Sequence, residues 1–299
     1  MVGEGLMAAG ISLLLALGQV PAVGDGAGPP APPKSRGERL LALHLEDAAS
    51  YAIYRDPAKA ERLELRREPI YRWSNPTRVG GQEGDVFVWT YRGRPEVVAS
   101  IFSHSLQGRA GRLLCHELHS LSDAVLIVDR DSPNRREPRA PGLDLAPVPG
   151  APEPAASPAQ RATQVRAIAR DFSGRSRSEA GQAWELRLLP RPLYRSESTD
   201  PAVLDGALFA LVSDAGTDPE ILLLLEARKT AEGVRWVYGA ARFSDMNLWL
   251  THKGKDVWSS IRSPTNTFNA DAKHRFRFYQ DHVVPEIEDG AAKAKAEAK

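Results

Sequence analysis

A chain of 299 residues can form one large domain or two modest ones, and either can bury a real core. Its 42% hydrophobic and 26% charged residues are those of an ordinary soluble globular protein, and a formal net charge of +1 argues against a broad nucleic-acid or anionic-membrane surface. A single cysteine, Cys115, excludes an intrachain disulfide.

Leu6 to Val20 is apolar, and Val20-Pro21-Ala22 places small residues where a signal peptidase reads. Residues 1–22 are therefore expected to be an export signal giving a periplasmic or extracellular protein, although Glu4 precedes the run and no Lys or Arg does. The run is short for a membrane span, so none is expected in the mature chain. A Gly/Pro-rich tether follows over 23–36.

Arg36 to Tyr54 reads as a helix, with Leu41, Leu45, Ala48 and Ala52 at helical spacing. From Arg62 the period becomes two, as in half-buried strands. Strands are predicted at Leu63–Arg66, Val86–Tyr91, Val97–Ser103 and Leu113–Leu121, with a short continuation at Val125–Val128. The Pro-rich stretch 131–158 reads as a linker, whose Leu143, Leu145 and Val148 could pack along a surface.

Gln160 to Phe172 predicts a second helix, and strands follow at Trp184–Leu189, Ala207–Val212, Ile221–Ala227, Val234–Phe243 and Asn247–Leu250. Asn269 or Asp271 would cap a last helix running through His282, within a C-terminal segment 251–288. The charged tail 289–299 reads as disordered.

Pieces of the first strand region return in the second. Glu64-Leu65-Arg66 recurs as Glu185-Leu186-Arg187, Pro69-Ile70-Tyr71-Arg72 as Pro192-Leu193-Tyr194-Arg195, and Pro95-Glu96-Val97 as Pro219-Glu220-Ile221. A near-constant offset is what a tandem duplication leaves. The fold expected is α+β: two tandem-duplicated units, 37–130 and 159–250, each a helix followed by a four- to five-stranded antiparallel meander, packed as a pseudo-symmetric pair. At the level of element order this resembles cystatin-like and NTF2-like domains, a likeness that implies no activity.

Alternation separates two faces. Val97, Ala99, Ile101, Leu114, His116 and Leu118 share one, matched by Ile221, Leu223, Leu225, Trp236, Tyr238 and Ala240. Val98, Ser100, Phe102, Cys115, Glu117 and His119 share the other. A sheet covered by one helix leaves its second face wet, so the units are expected to cover each other.

Cys115, Glu117 and His119 are residue types that bind zinc, and Glu117 with His119 could serve a metal-dependent or acid/base enzyme. His116-Glu117-Leu118-His119 is not HExxH, and alternate residues of a strand lie about 7 Å apart, too far to chelate without help. These residues read more readily as structural than as a site.

Arg72 and Arg195, retained in both units, could offer a symmetric anion site or simply pair with nearby aspartates. No nucleotide-binding, nucleophile-elbow or paired-cysteine pattern is present, so no cofactor is expected. The function expected is non-enzymatic: binding a small molecule or a protein partner between the units, or a structural role, with no nucleic-acid partner.

Overall fold

The computed structural model describes residues 35–76, 80–131, 142–214, 216–262 and 275–287. The expected signal, most of the tether, the charged tail and the caps Asn269 and Asp271 lie outside them. The first half runs α1 (Arg36–Ala49), β1 (Ala52–Tyr54), β2 (Glu64–Leu65), β3 (Tyr71–Asn75), β4 (Gln82–Tyr91), β5 (Arg94–Ser105), β6 (Arg112–Ser120), β7 (Ile127–Asp129) and β8 (Ala146–Pro147). There follow α2 (Pro158–Ala169), β9 (Phe172–Arg177), β10 (Ala183–Leu188), β11 (Tyr194–Arg195), β12 (Val203–Val212), β13 (Pro219–Thr230) and β14 (Gly233–Arg242). The chain ends in β15 (Asn247–His252), β16 (Lys255–Ser260) and β17 (Phe276–Val284).

The α+β expectation is corrected: the chain is mostly β, with three antiparallel sheets, one of them a half-barrel. Six strands make one sheet in the order β17-β6-β5-β4-β2, with β3 also on β4. Nine make another, β16-β15-β9-β10-β12-β13-β14-β8 with β11 on β12, and β1 pairs with β7. The nine-stranded sheet curls until its far strands meet: Tyr238 Oη on β14 donates to Val257 O on β16, and Arg242 to Ser260 Oγ.

The C-terminal segment explains much of the correction. Where a helix was expected, Phe276–Val284 runs as a strand against β6, pairing Phe276 with His119 and Tyr279 with His116. Its Arg-Phe-Arg-Phe alternation suits a pleat better than a helical stripe. Neither large sheet is therefore a meander closed within one unit.

The two large sheets face each other across a core of Trp73, Val86, Val98, Phe102 and Cys115 on one side and Leu208, Ala210, Leu222, Leu224 and Phe243 on the other. On the outer face of the six-stranded sheet, Ala48 of α1 packs with Phe87, Trp89, Ala99, Ile101 and Leu118. On the concave face of the nine-stranded sheet, Val165, Ile168 and Ala169 of α2 pack with Phe209, Leu211, Leu223, Leu225 and Trp236. The Pro-rich stretch contributes too, since Leu143 enters the central core and Val148 the α2 core. A buried ion pair pins the layers together: Arg94 Nε donates to Glu226 Oε1 at 2.8 Å while Nη1 reaches Glu96 at 2.9 Å and Leu121 O at 3.2 Å.

The central ladders of the two sheets run in the same register. Tyr71–Val86, Phe87–Ala99 and Ile101–His116 are matched by Tyr194–Leu208, Phe209–Leu223 and Leu225–Tyr238. The Glu-Leu-Arg match slips: Leu65 lies opposite Trp89, and Leu188 rather than Leu186 lies opposite the corresponding Leu211.

Candidate functional site

Cys115, Glu117 and His119 share the inner face of β6. Cys115 is buried between the sheets, and burial pushes its thiol up to about 12, away from a ligating thiolate. His119 is buried against Phe276, with Nδ1 2.7 Å from Ser120 O. Glu117 is half-buried, its charge felt by Arg242 of the other sheet. Among the described residues the group whose ligand atoms converge is a different one, Asp47, Asp281 and His282.

Arg72 and Arg195 do not converge either. Arg72 Nε donates to Asp85 at 2.7 Å and Nη2 to Gly37 O of α1, while Arg195 pairs with Asp205, which also takes Arg161 of α2 at 3.3 Å. Each guanidinium lies on the helix side of its own sheet, so the whole sandwich separates them. They tie helix to sheet.

Behind Arg72 lies a buried polar triple. His44 Nδ1 is 2.8 Å from Asp85 Oδ2 and His44 Nε2 is 3.1 Å from Ser103 Oγ. These are the contacts of a nucleophile, base and acid. Ser103 and His44 are 0% exposed and Asp85 2%, however, and Ser103 Oγ also accepts from Arg112 Nε at 3.2 Å. With no solvent at the hydroxyl, the triple clamps α1 to the sheet.

A second polar hub joins α1, β6 and β17. Tyr51 Oη lies 2.6 Å from His116 Nδ1, and His116 Nε2 lies 2.7 Å from Asp47. Arg130 grips Asp281 with two hydrogen bonds at 3.0 and 2.8 Å, stands 3.5 Å from Asp47 and lies over the Tyr51 ring. Burial pushes the His116 imidazole below its ordinary range, against the pull of Asp47. Burial alone would raise Asp281, but its bonds from Arg130 and His282 hold it well below the usual carboxylate range. The carboxylates near His282 are thus already neutralised by a resident guanidinium, which leaves the group poorly suited to a cation.

Beside this hub opens a slot of about 440 Å³ lined by Ala49, Tyr51, Leu63, Leu65 and Trp89, with Arg62, Glu64 and Arg67. Its walls follow from sequence: Leu63 and Leu65 alternate inward on the short edge strand while Arg62 and Glu64 turn out. Tyr51 meets Trp89 edge-on at 5.9 Å, and the Trp89 indole N–H beneath has no acceptor among the described residues. Arg62 and Arg67 are exposed, and neither carries an ion pair among the described residues. By contrast, the cavities of about 170 and 30 Å³ near the sheet–sheet junction sit at its edge, and its centre is filled by side chains.

The slot was not anticipated. Trp89 lies in the predicted strand Val86–Tyr91, and Arg62 and Arg67 flank the predicted strand Leu63–Arg66. Local charge gave no signal, since the three arginines Arg62, Arg66 and Arg67 are matched by Glu61, Glu64 and Glu68.

No protein-family model, curated protein or solved structure matches the chain. Among the described residues no helix is long and apolar enough to cross a membrane.

Proposed function

We propose that the chain is a non-enzymatic binding protein that holds a small amphipathic anion, an apolar or aromatic body bearing a carboxylate or sulfonate, in the slot between α1, β2 and β4. One observation carries this reading: two exposed guanidiniums, without an ion pair among the described residues, stand at the rim of a slot whose walls are otherwise mostly apolar. Such a volume falls within the range of small-molecule sites, and Arg is the side chain suited to a planar anion. Glu64 at the same rim leaves a net single positive charge, which favours a monoanion. The filled sheet–sheet core supports a site on the α1 side rather than between the two layers. The N-terminal apolar run supports placing this activity outside the cytoplasm.

The probe is 1-anilinonaphthalene-8-sulfonate, an aromatic monoanion whose fluorescence rises on transfer from water. It is expected to bind the native chain with saturable enhancement, and Arg62→Ala with Arg67→Ala to weaken binding by about tenfold or more, the size of a lost charge-assisted contact. Unchanged affinity in the double variant, with native circular dichroism, sinks the proposal.

A further inference from the structure

We propose that the outer edge of β14, at Val234, is a docking site for an extended segment of a partner protein, added as a strand. The argument starts from the ladder. Val148 N donates to Trp236 O at 2.9 Å, so the backbone polar groups of Trp236 face away from β13, toward β8. Strand groups alternate sides, so Val234, two residues earlier, presents its N–H and C=O along the same outer edge. There β8 does not reach, since its pairing covers Val237 with Pro147 and Tyr238 with Ala146.

The sequence explains why β8 does not continue along this edge, which is open among the described residues. The next residue due to pair would be Gly150, opposite Val234, but Gly150 takes φ +64° and Ala151 N turns back to Val148 O. Pro147, Pro149, Pro152 and Pro154 have no N–H to offer, so this stretch cannot zip further along β14. It diverges instead, and a groove of about 530 Å³ opens between Gly150–Pro154 and Glu232–Trp236.

What the groove lacks is an alternating donor and acceptor at strand spacing, which an extended peptide supplies. The walls bear two carboxylates, Glu153 and Glu232, against one cation, Arg235, which Glu232 already holds at 2.9 Å. The excess favours a neutral or basic segment over an acidic one. This site lies on the nine-stranded sheet and is independent of the slot.

The test combines amide hydrogen exchange on the full chain with selection from a displayed library of random heptapeptides. In the free chain the Val234 amide is expected to exchange much faster than that of Val237, which faces β13. Selected peptides should slow Val234 exchange, and Val234→Pro, which removes the donor, should weaken them at least about tenfold, while Val234→Ala leaves them bound. Val234 protected as strongly as Val237 in the free chain overturns the proposal. So does a selection that enriches nothing, or peptides indifferent to Val234→Pro.

Discussion

The two helix-facing cores are built on ladders of the same register and filled with opposite chemistry. In the first layer the buried positions His44, Asp85 and Ser103 form a hydrogen-bonded triple under α1. The same places in the second layer are Val165, Ala207 and Ala227, all within an apolar core under α2. His44 is the middle of three helix positions, Leu40, His44 and Ala48, as Val165 is of Arg161, Val165 and Ala169. Asp85 lies opposite Ile101 as Ala207 lies opposite Leu225. One backbone plan therefore folds with either filling, so the fold itself does not demand the polar triple.

The comparison breaks most sharply on Asp85. Asp85→Ala alone strands His44 and Arg72 without their carboxylate, and is expected to cost about 3–5 kcal/mol, as removal of one partner from a buried pair does. The combined His44→Val, Asp85→Ala, Ser103→Ala variant, which writes the second layer into the first, is expected to recover most of that loss. Removing His44 together with its partners leaves no unpaired imidazole, while Arg72 keeps Gly37 O and Arg112 keeps Ser103 O as acceptors. Denaturant unfolding of the single and triple variants decides it, and a triple variant no more stable than the single one removes the equivalence of the layers.

The next test is acid. Burial lowers the imidazole of His116 in the first layer, where Asp47 pulls the other way and Arg130 adds repulsion. The unfolded chain takes up a proton on this residue below the ordinary 6.5, while the folded chain resists until lower pH. Stability therefore falls as the pH drops through that window and levels off beneath the folded value. His116→Gln is expected to flatten the slope between pH 7 and 5, read from denaturation midpoints. His252 in the second layer, whose imidazole burial also lowers, contributes to any residual slope. A profile unchanged in His116→Gln would mean that the polar load of the first layer does not set its acid sensitivity.

How far the residues foretold this depends on what each one answers to. Alternation alone separated Val97, Ala99 and Ile101 from Val98, Ser100 and Phe102, because sheet faces obey a local period and burial on both sides is written in every second residue. Strand addition was not local. Whether Phe276–Val284 became helix or strand was decided by the free edge of β6, which lies far away in sequence. Polar partners were equally hidden: His44 read as one residue in a helical pattern, and only folding brought Asp85 and Ser103 within reach. Arg72 and Arg195 were recognisable as paired features, but their carboxylates were fixed by cross-strand geometry.

The smallest expected difference lies at the helix starts. Ser35 caps α1 in a reciprocal box: its Oγ accepts from Glu38 N at 3.2 Å and its own N–H donates to Glu38 Oε2 at 2.7 Å. Ser157 caps α2 through Gln160 N at 3.3 Å, with Pro158 at the first helical position to preset the backbone. Alanine at Ser35 removes the side-chain acceptor and loosens the returning Glu38, so about 1 kcal/mol is expected there and about 0.5 kcal/mol at Ser157. The ordering follows from partner count, since α2 keeps its proline when the serine is lost whereas α1 keeps nothing equivalent. Equal midpoint shifts in the two variants would mean that helix packing, not capping, sets where each helix begins.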